Sequence, residues 1–458
     1  MQPAHLAQHH LHSASELLST ILGSSRPADK EMELFFRRHK ELGLRDRGVV
    51  AEAVYGVLRR LRSLLYALEP GRAWPAEVSF PAEGSERKAL CTRLVVAQLV
   101  TGGGLSTREL LRRGLREELE TAAHTARAAR PESFPPPVRA ELPSWLFDRL
   151  AAGLGEAGAL ALGQAFSRAA PVDLRVNTLK AKRDEVSARL AEEGFPSTPT
   201  PWSPHGLRRQ DHAPLFRTRA FQDGLFEIQD EGSQLVTFLV EPRRKERVAD
   251  FCAGGGGKTL ELAALMANTG TIYAFDTSAA RLDRMRPRLA RAGVDTVRVM
   301  HLENERDKTV RRLEGKLDRV LVDAPCSGTG TLRRSPDLKW RPCAVEELVA
   351  RQTRILAAAA TLVRPGGRLV YATCSVLREE NDGVVEAFLA AAPDFALVPA
   401  AEILARRQIP LSLAEPVLRL TPLAHQTDAF FAAALERRGG QAADEPPQPA
   451  GSSEPESA

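Results

Sequence analysis

Cysteine is scarce in this 458-residue chain and neither sign of charge dominates. Five cysteines, an odd number without paired spacing, argue against a disulfide framework and leave free thiols for chemistry. No apolar run approaches the ~18 residues that a membrane span needs, so no membrane role is expected. The opening MQPAHLAQHHLHSASELL lacks the basic region and apolar core of a secretory signal, and a cytoplasmic protein is expected. Its histidines His5, His9, His10 and His12 have no carboxylate or cysteine near them in sequence, which predicts a solvated N-terminus and no metal site. Lys and Arg number 63 against 58 Asp and Glu, a net charge of +5 that permits an anionic partner without demanding one. No internal repeat of useful period is present.

What is there divides into parts, since a length of 458 residues exceeds the roughly 100–200 typical of one domain. Residues 1–145 read as an all-α bundle. In LRDRGVVAEAVYGVLRRLRSLLYAL the apolar positions Val50, Val54, Val57, Leu58, Leu61, Leu64, Leu65 and Leu68 recur three and four apart, the spacing of one buried helix face. The stretch Pro131 to Pro143, with three successive prolines at 135–137, predicts a linker, because proline cannot propagate a helix. Residues 146–235 read as a small α+β module, with a strand around Leu174–Val176 and a helical pattern running to Leu190. Residues 236–437 alternate strands (RVADF, TIYAFD, VRVM, DRVLVDAP, GGRLVYATCS) with helices, the mark of a parallel, doubly wound Rossmann-like α/β sheet. Such sheets bind ligands at the carboxyl ends of their strands. The end of the chain, 438–458, is rich in Pro, Gly, Ser and Glu, cannot repay the entropy of ordering, and reads as a disordered tail.

The turn VADFCAGGGGKT, Asp250 to Thr259, joins a strand to a helix, where glycines let backbone N–H groups approach a ligand closely. Its GKT, Gly257 to Thr259, supplies the second half of a phosphate loop, but the opening glycine would fall at Cys252. Strand TIYAFD ends in Asp276 about 20 residues after the loop, where nucleoside-binding folds keep a carboxylate for ribose hydroxyls. Two further strands end in cysteine motifs, DAPCSGTG with Asp323 and Cys326, and YATCS with Cys374. A lone cysteine is more often a small buried hydrophobe, and Cys91, Cys252 and Cys343 are read so.

Together, VADFCAGGGGKT, DRVLVDAPCSGTGTLRRSPDLKWR and GGRLVYATCSVLREEN resemble the RsmB and NSUN family of RNA 5-methylcytosine methyltransferases. PVDLRVNT, GLFEIQDEGSQLV and HQTDAFFAAALE extend the resemblance from about Pro171 to Glu436, and LRDRGVVAEAVYGVLRRL is similar to the NusB-like N-terminal domain of the bacterial RsmB type. The resemblance implies S-adenosyl-L-methionine as cofactor, RNA as partner (16S ribosomal RNA, with transfer RNA as the alternative), no metal, and a monomer. It implies that Cys374 attacks cytosine C6 and that Cys326 assists product release. Asp323 would contact the cytosine N3 edge or the methionine part of the cofactor. Cys252, Ala253, Gly254, Gly255, Gly256, Gly257 and Lys258 would wrap the cofactor, Lys258 would also reach toward the substrate, and Asp276 would take the ribose hydroxyls. Two positions depart from the family pattern: Gly255 stands where the family has proline, and Glu303 or Asn304 stands where it has an adenine-binding aspartate, of which Glu303 is assigned. Arg333, Arg334, Lys339 and Arg341, with Arg175 and Asn177, form the expected phosphate-binding strip. A phosphate-loop NTPase and a non-catalytic RNA-binding factor remain as other classes.

Overall fold

The computed structural model describes residues 7–69, 84–112, 119–211 and 213–439. Most of the predicted tail, residues 440–458, lies outside them, as does His5. Helices α1 (Gln8–Gly23), α2 (Ala28–Arg38), α3 (Leu44–Leu68), α4 (Ser85–Thr101), α5 (Thr107–Arg112), α6 (Glu120–Ala128) and α7 (Pro136–Arg139) make up the N-terminal part. All eight apolar positions predicted on α3 are buried, packed against Leu17, Leu18 and Ile21 of α1 and Leu94, Val95 and Leu99 of α4. Each such side chain contributes roughly 1.5–3 kcal/mol when fully buried.

Two expectations fail here. The proline-rich stretch, read as a linker that cannot propagate helix, carries short helical turns: Pro131–Ser133 forms a 3₁₀ turn and Pro136 opens α7. Proline is tolerated in a first helical turn, where its missing N–H would have no partner anyway. Phe134, Val138, Ala140 and Leu142 beside these prolines are buried, and Arg62 donates to the Leu142 carbonyl and, at 2.8 Å, to Ser144 Oγ. The N-terminal histidines are not uniformly solvated either. His10 is buried because α1 starts at Gln8, so its ring folds back over the first turn: Nδ1 accepts from the Ala7 N–H at 2.9 Å and Nε2 lies 3.0 Å from Asp46. Exposed His9 completes a cluster with His10 and Asp46, but both His10 ring nitrogens already have protein partners.

Helix α8 (Ser144–Phe166) leads into an antiparallel sheet of order β2-β3-β1-β4, built from β1 (Val172–Val176), β2 (Thr198–Pro199), β3 (Gly206–Arg209) and β4 (Phe226–Ile228), with α9 (Arg183–Glu192) and α10 (Arg219–Gln222) between strands. Leu174, Val176, Val186, Leu190, Leu207 and Phe226 form its core.

After α11 (Glu231–Val240) come β5 (Arg247–Asp250), α12 (Gly257–Leu265), β6 (Thr271–Asp276), α13 (Ala279–Ala292), β7 (Val297–His301), α14 (Lys308–Arg312), β8 (Leu317–Asp323), α15 (Val345–Leu362) and β9 (Val363–Thr373). The chain finishes through α16 (Asp382–Ala391), β10 (Phe395–Val398), α17 (Ala400–Arg406), β11 (Leu418–Leu420), α18 (Pro422–His425) and β12 (Phe430–Arg437). The sheet runs β10-β12-β9-β8-β5-β6-β7, with β11 on β12. Strands β9, β8, β5, β6 and β7 are parallel, as expected. The whole sheet is mixed, because β12 enters antiparallel between β9 and β10. Strand order reverses between β5 and β8, which opens a crevice at their carboxyl ends.

Candidate active site

Five segments meet in that crevice: the β5–α12 turn and the ends of β6, β7, β8 and β9. They enclose a cavity of about 440 Å³, within the size range of small-ligand sites. At its floor the glycine turn reverses the chain. Gly256 sits at φ +85°, and a Cβ there would come within 2.5 Å of Met285 Cγ on α13, so turn and helix pack closely only because the side chain is missing. The Gly254 N–H donates to Asp276 Oδ2 at 2.8 Å, and Asp276 Oδ1 accepts from the Ser278 N–H at 2.7 Å, which fixes the carboxylate at the end of β6.

Lys258 Nζ donates to Asp323 Oδ2 at 2.8 Å and lies over the Phe430 ring. Burial pushes the Lys258 ammonium down, but Asp323, the neighbouring thiol of Cys374 and Asp250 more than offset it, and its net shift is upward. Thr259 Oγ1 donates to Asp250 Oδ2 at 2.7 Å. With lysine and threonine both committed to carboxylates, the turn is not arranged to cradle a triphosphate and its metal ion, which disfavours the phosphate-loop reading. Burial raises the Asp250 carboxyl to about 7, against the Thr259 hydrogen bond, and Asp323 adds to the rise.

The two cysteine motifs end adjacent parallel strands, with Asp323 of β8 in register with Ala372 of β9. That pairing delivers both thiols to one place: Cys326 Sγ lies 3.4 Å from Cys374 Sγ. The Cys374 contact, then burial, pushes the Cys326 thiol well above its ordinary range. The backbone is equally close. The Gly330 N–H donates to the Cys374 carbonyl at 2.8 Å, and a Cβ on Gly330 would fall 2.3 Å from the Ala429 carbonyl oxygen and 2.7 Å from that of Cys374.

Of the residues singled out from sequence, Cys252, Ala253, Gly254, Gly255, Gly257, Lys258, Asp276, Asp323, Cys326 and Cys374 line the cavity. Gly256 faces Met285 instead. Glu303 is exposed and outside the lining, its N–H donating to Asp307, whereas Asn304 and Glu305 are in it. Ser233, Leu302, Arg351 and Ile355 also line the cavity and carried no signal in their local sequence. Cys91 is buried, as read; Cys252 and Cys343 are half-buried. The wall suits a zwitterionic nucleoside such as S-adenosylmethionine: among the described residues the buried Asp250 Oδ1 has no hydrogen-bond partner, which leaves an acceptor unused, and the Asp276 carboxylate lies in the lining.

The basic strip is held largely by internal partners. Arg333 and Arg334 pair with Asp428, and Arg334 also reaches Asp230 at 2.7 Å. Lys339 is 1% exposed and donates to the Arg59 carbonyl and Ser167 Oγ; burial holds its ammonium down at about 8 despite nearby Glu141. Arg341 pairs with Asp337 at 2.9 Å and donates to the carbonyls of Ser25 and Arg26. Arg175 is buried against Gln229 and Glu261, and Asn177 donates to the carbonyls of Gly224 and Ala292. Partners remote in sequence turn this charge into internal bracing.

A nucleoside-sized crevice at a β5/β8 switch point, walled by carboxylates at strand ends, is a Rossmann-like nucleoside site, and the class of enzyme that comparison with known proteins gives it is an S-adenosylmethionine-dependent methyltransferase. The chain belongs to the RsmB/F methyltransferase family: the model described as 16S rRNA methyltransferase RsmB/F matches residues 237–436, and the ferredoxin-like domain of RsmF/B-like methyltransferases matches 142–215. It is 35% identical over 355 residues to ribosomal RNA small subunit methyltransferase B of Xanthomonas campestris pv. campestris (75% of this chain, 80% of that protein). It is 29% identical over 433 residues to the probable ribosomal RNA small subunit methyltransferase B of Bacillus subtilis (88% and 93%). The crystal structure of PH0851 superimposes with a TM-score of 0.75 at 25% identity, covering 94% of this chain and 99% of that one. No helix among the described residues is long and apolar enough to cross a membrane.

Proposed function

We propose that this chain methylates carbon 5 of a cytidine in RNA, with 16S ribosomal RNA as the substrate and the helical N-terminal part acting as a NusB-like RNA-binding domain. The observation that carries this reading is the thiol pair, 3.4 Å apart on the wall of a cavity fit for the cofactor. S-adenosylmethionine, when bound, supplies an electrophilic methyl group. Cytosine C5 is a poor nucleophile until the ring's aromaticity is broken. Cys374 adds through sulfur to C6, which makes C5 enamine-like and able to take the methyl group; loss of the C5 proton then expels the Cys374 thiolate. Cys326, held neutral by its raised proton affinity, stands beside that sulfur as the group that assists elimination and release. Asp323, fixed by Lys258, faces the same cavity and serves the N3 edge of the base or the methionine part of the cofactor. Cys252 to Lys258 wrap the cofactor, Asp276 takes its ribose hydroxyls, and Asn304 or Glu305 is better placed than Glu303 for its adenine. The target base must be unstacked to reach the thiols.

The test uses small-subunit ribosomal RNA, radiolabelled S-adenosylmethionine and denaturing gels. Cys374→Ala is expected to lose both methyl transfer and any covalent RNA adduct, and Cys326→Ala to accumulate a denaturant-resistant adduct. Adduct formation by Cys374→Ala would reverse the two roles.

A further inference from the structure

In both motifs a serine follows the cysteine, and both serines converge on one buried carboxylate. Glu380, fully buried, lies six residues beyond Cys374 in a short 3₁₀ turn before α16. Its Oε1 accepts from the Ser327 N–H at 2.8 Å and from Gln352 Nε2 at 2.9 Å. Its Oε2 accepts from Ser327 Oγ at 2.5 Å and from Ser375 Oγ at 2.5 Å. Ser327 follows Cys326, and Ser375 follows Cys374. The same Gln352 amide, reaching in from α15, donates to the Pro325 carbonyl at 3.0 Å, so the residues on both sides of Cys326 are tied to one point. Next to Glu380, Asn381 accepts from Thr373 Oγ1 at 2.5 Å and donates to the Ser375 carbonyl at 3.0 Å, which brackets Cys374 in the same way.

We infer that Glu380 is a positioning residue that sets the spacing and orientation of the Cys326 and Cys374 thiols by holding the serine after each. It touches no reacting atom; it acts through Ser327 and Ser375. A carboxylate with two acceptor oxygens receives four donors from two loops and a helix, and no other side-chain type of that size accepts as many. Charge-assisted hydrogen bonds of this kind, buried away from water, are the strong ones. A glutamine there would replace one acceptor by a donor facing the serine hydroxyls, and the two loops would lose their shared anchor. The importance of the spacing for turnover rests on the function proposed above; the spacing itself does not.

The first readout therefore needs neither RNA nor cofactor. The full-length protein is treated with diamide, which takes the two thiol hydrogens and closes a Cys326–Cys374 disulfide, and closure is followed by mass spectrometry. Glu380→Gln is expected to close about tenfold more slowly or worse, since displacement of a reacting pair by an ångström costs on that order or more. Closure at the wild-type rate in a folded Glu380→Gln protein overturns the inference. If Glu380→Gln does not fold, Ser327→Ala takes its place: slower closure supports the anchor, and unchanged closure refutes it. In the methylation assay Glu380→Gln is expected to lower kcat with the KM for S-adenosylmethionine unchanged, and Glu380→Asp to recover part of the loss. Loss of cofactor affinity in place of kcat would make Glu380 a general structural residue and sink the proposal. A wild-type protein that closes the disulfide rapidly but methylates no RNA counts against the function, not against the anchor.

Discussion

The segment from Cys326 to Arg341 has two halves that lie in one motif and behave differently. The first, Cys326 to Gly330, brings Cys326 to the cavity wall, and the polar groups of the residues after it hold that thiol at the end of β8. The second, Arg333 to Arg341, is more strongly charged yet points inward. Trp340 Nε1 donates to the Leu58 carbonyl, Asp337 accepts from the Ala28 N–H, and the arginines and lysine bind partners in all three parts of the chain. Position beside a catalytic motif is thus no guide to contact with a polyanion. What decides is whether distant carboxylates and carbonyls have already claimed the charge.

The comparison breaks most visibly at Arg334. Removing it takes from Asp230 its arginine and leaves Asp428, a carboxyl that burial already raises to about 6, with Arg333 alone. Arg334→Ala is expected to cost about 3–5 kcal/mol in chemical denaturation, as for other broken buried pairs. The salt dependence of RNA binding should be unchanged, because no phosphate contact is lost. A shallower salt slope with full stability would restore Arg334 to the RNA-binding surface.

Asp250 sharpens the contrast from the cavity side. The unfolded carboxyl ionises near 3.9, whereas burial holds the folded one at about 7. Between those values folding must take up a proton, so this group's contribution is fully present below about 4 and is lost as pH climbs toward 7. Asp250→Asn, which cannot ionise, should gain on the wild type in Tm as pH rises from 5 to 8 while binding S-adenosylmethionine more weakly. Parallel Tm curves for the two proteins would contradict the raised value.

The smallest effect is expected at Gly255. Its φ is not in the left-handed region, its N–H makes no backbone hydrogen bond among the described residues, and a Cβ would meet only the Arg288 guanidinium at 3.2 Å, which is held by Glu227 and the Gly255 carbonyl and would have to give by a few tenths of an ångström. Gly255→Pro should therefore change stability by no more than about 1 kcal/mol, the lost chain entropy of the unfolded state offsetting the shift asked of Arg288. Calorimetry should show cofactor binding equal to or tighter than that of the wild type. Weaker binding would mean that the turn must flex to load its ligand.

Much of this was legible in advance where the signal was local. Strand TIYAFD occurs at the bounds read from pattern, because a buried strand advertises itself by its apolar run. The glycine turn and both cysteine motifs were equally plain. The antiparallel insertion of β12, the packing of the proline stretch and the burial of His10 were not, since each depends on what arrives from elsewhere in the chain. Glu380 stood within the quoted motif GGRLVYATCSVLREEN, yet nothing in those letters showed that Ser327, about 50 residues earlier, would bond to it.

By itself the sequence determined the layout of the candidate site: which strands end in thiols and carboxylates, and that βαβ connections place those ends on one edge of a sheet. Only the tertiary structure decided which charges face solvent, which wall the cavity and which brace the interior. Backbone pattern is governed by near neighbours, whereas the fate of a charge is set by partners that folding brings from remote positions.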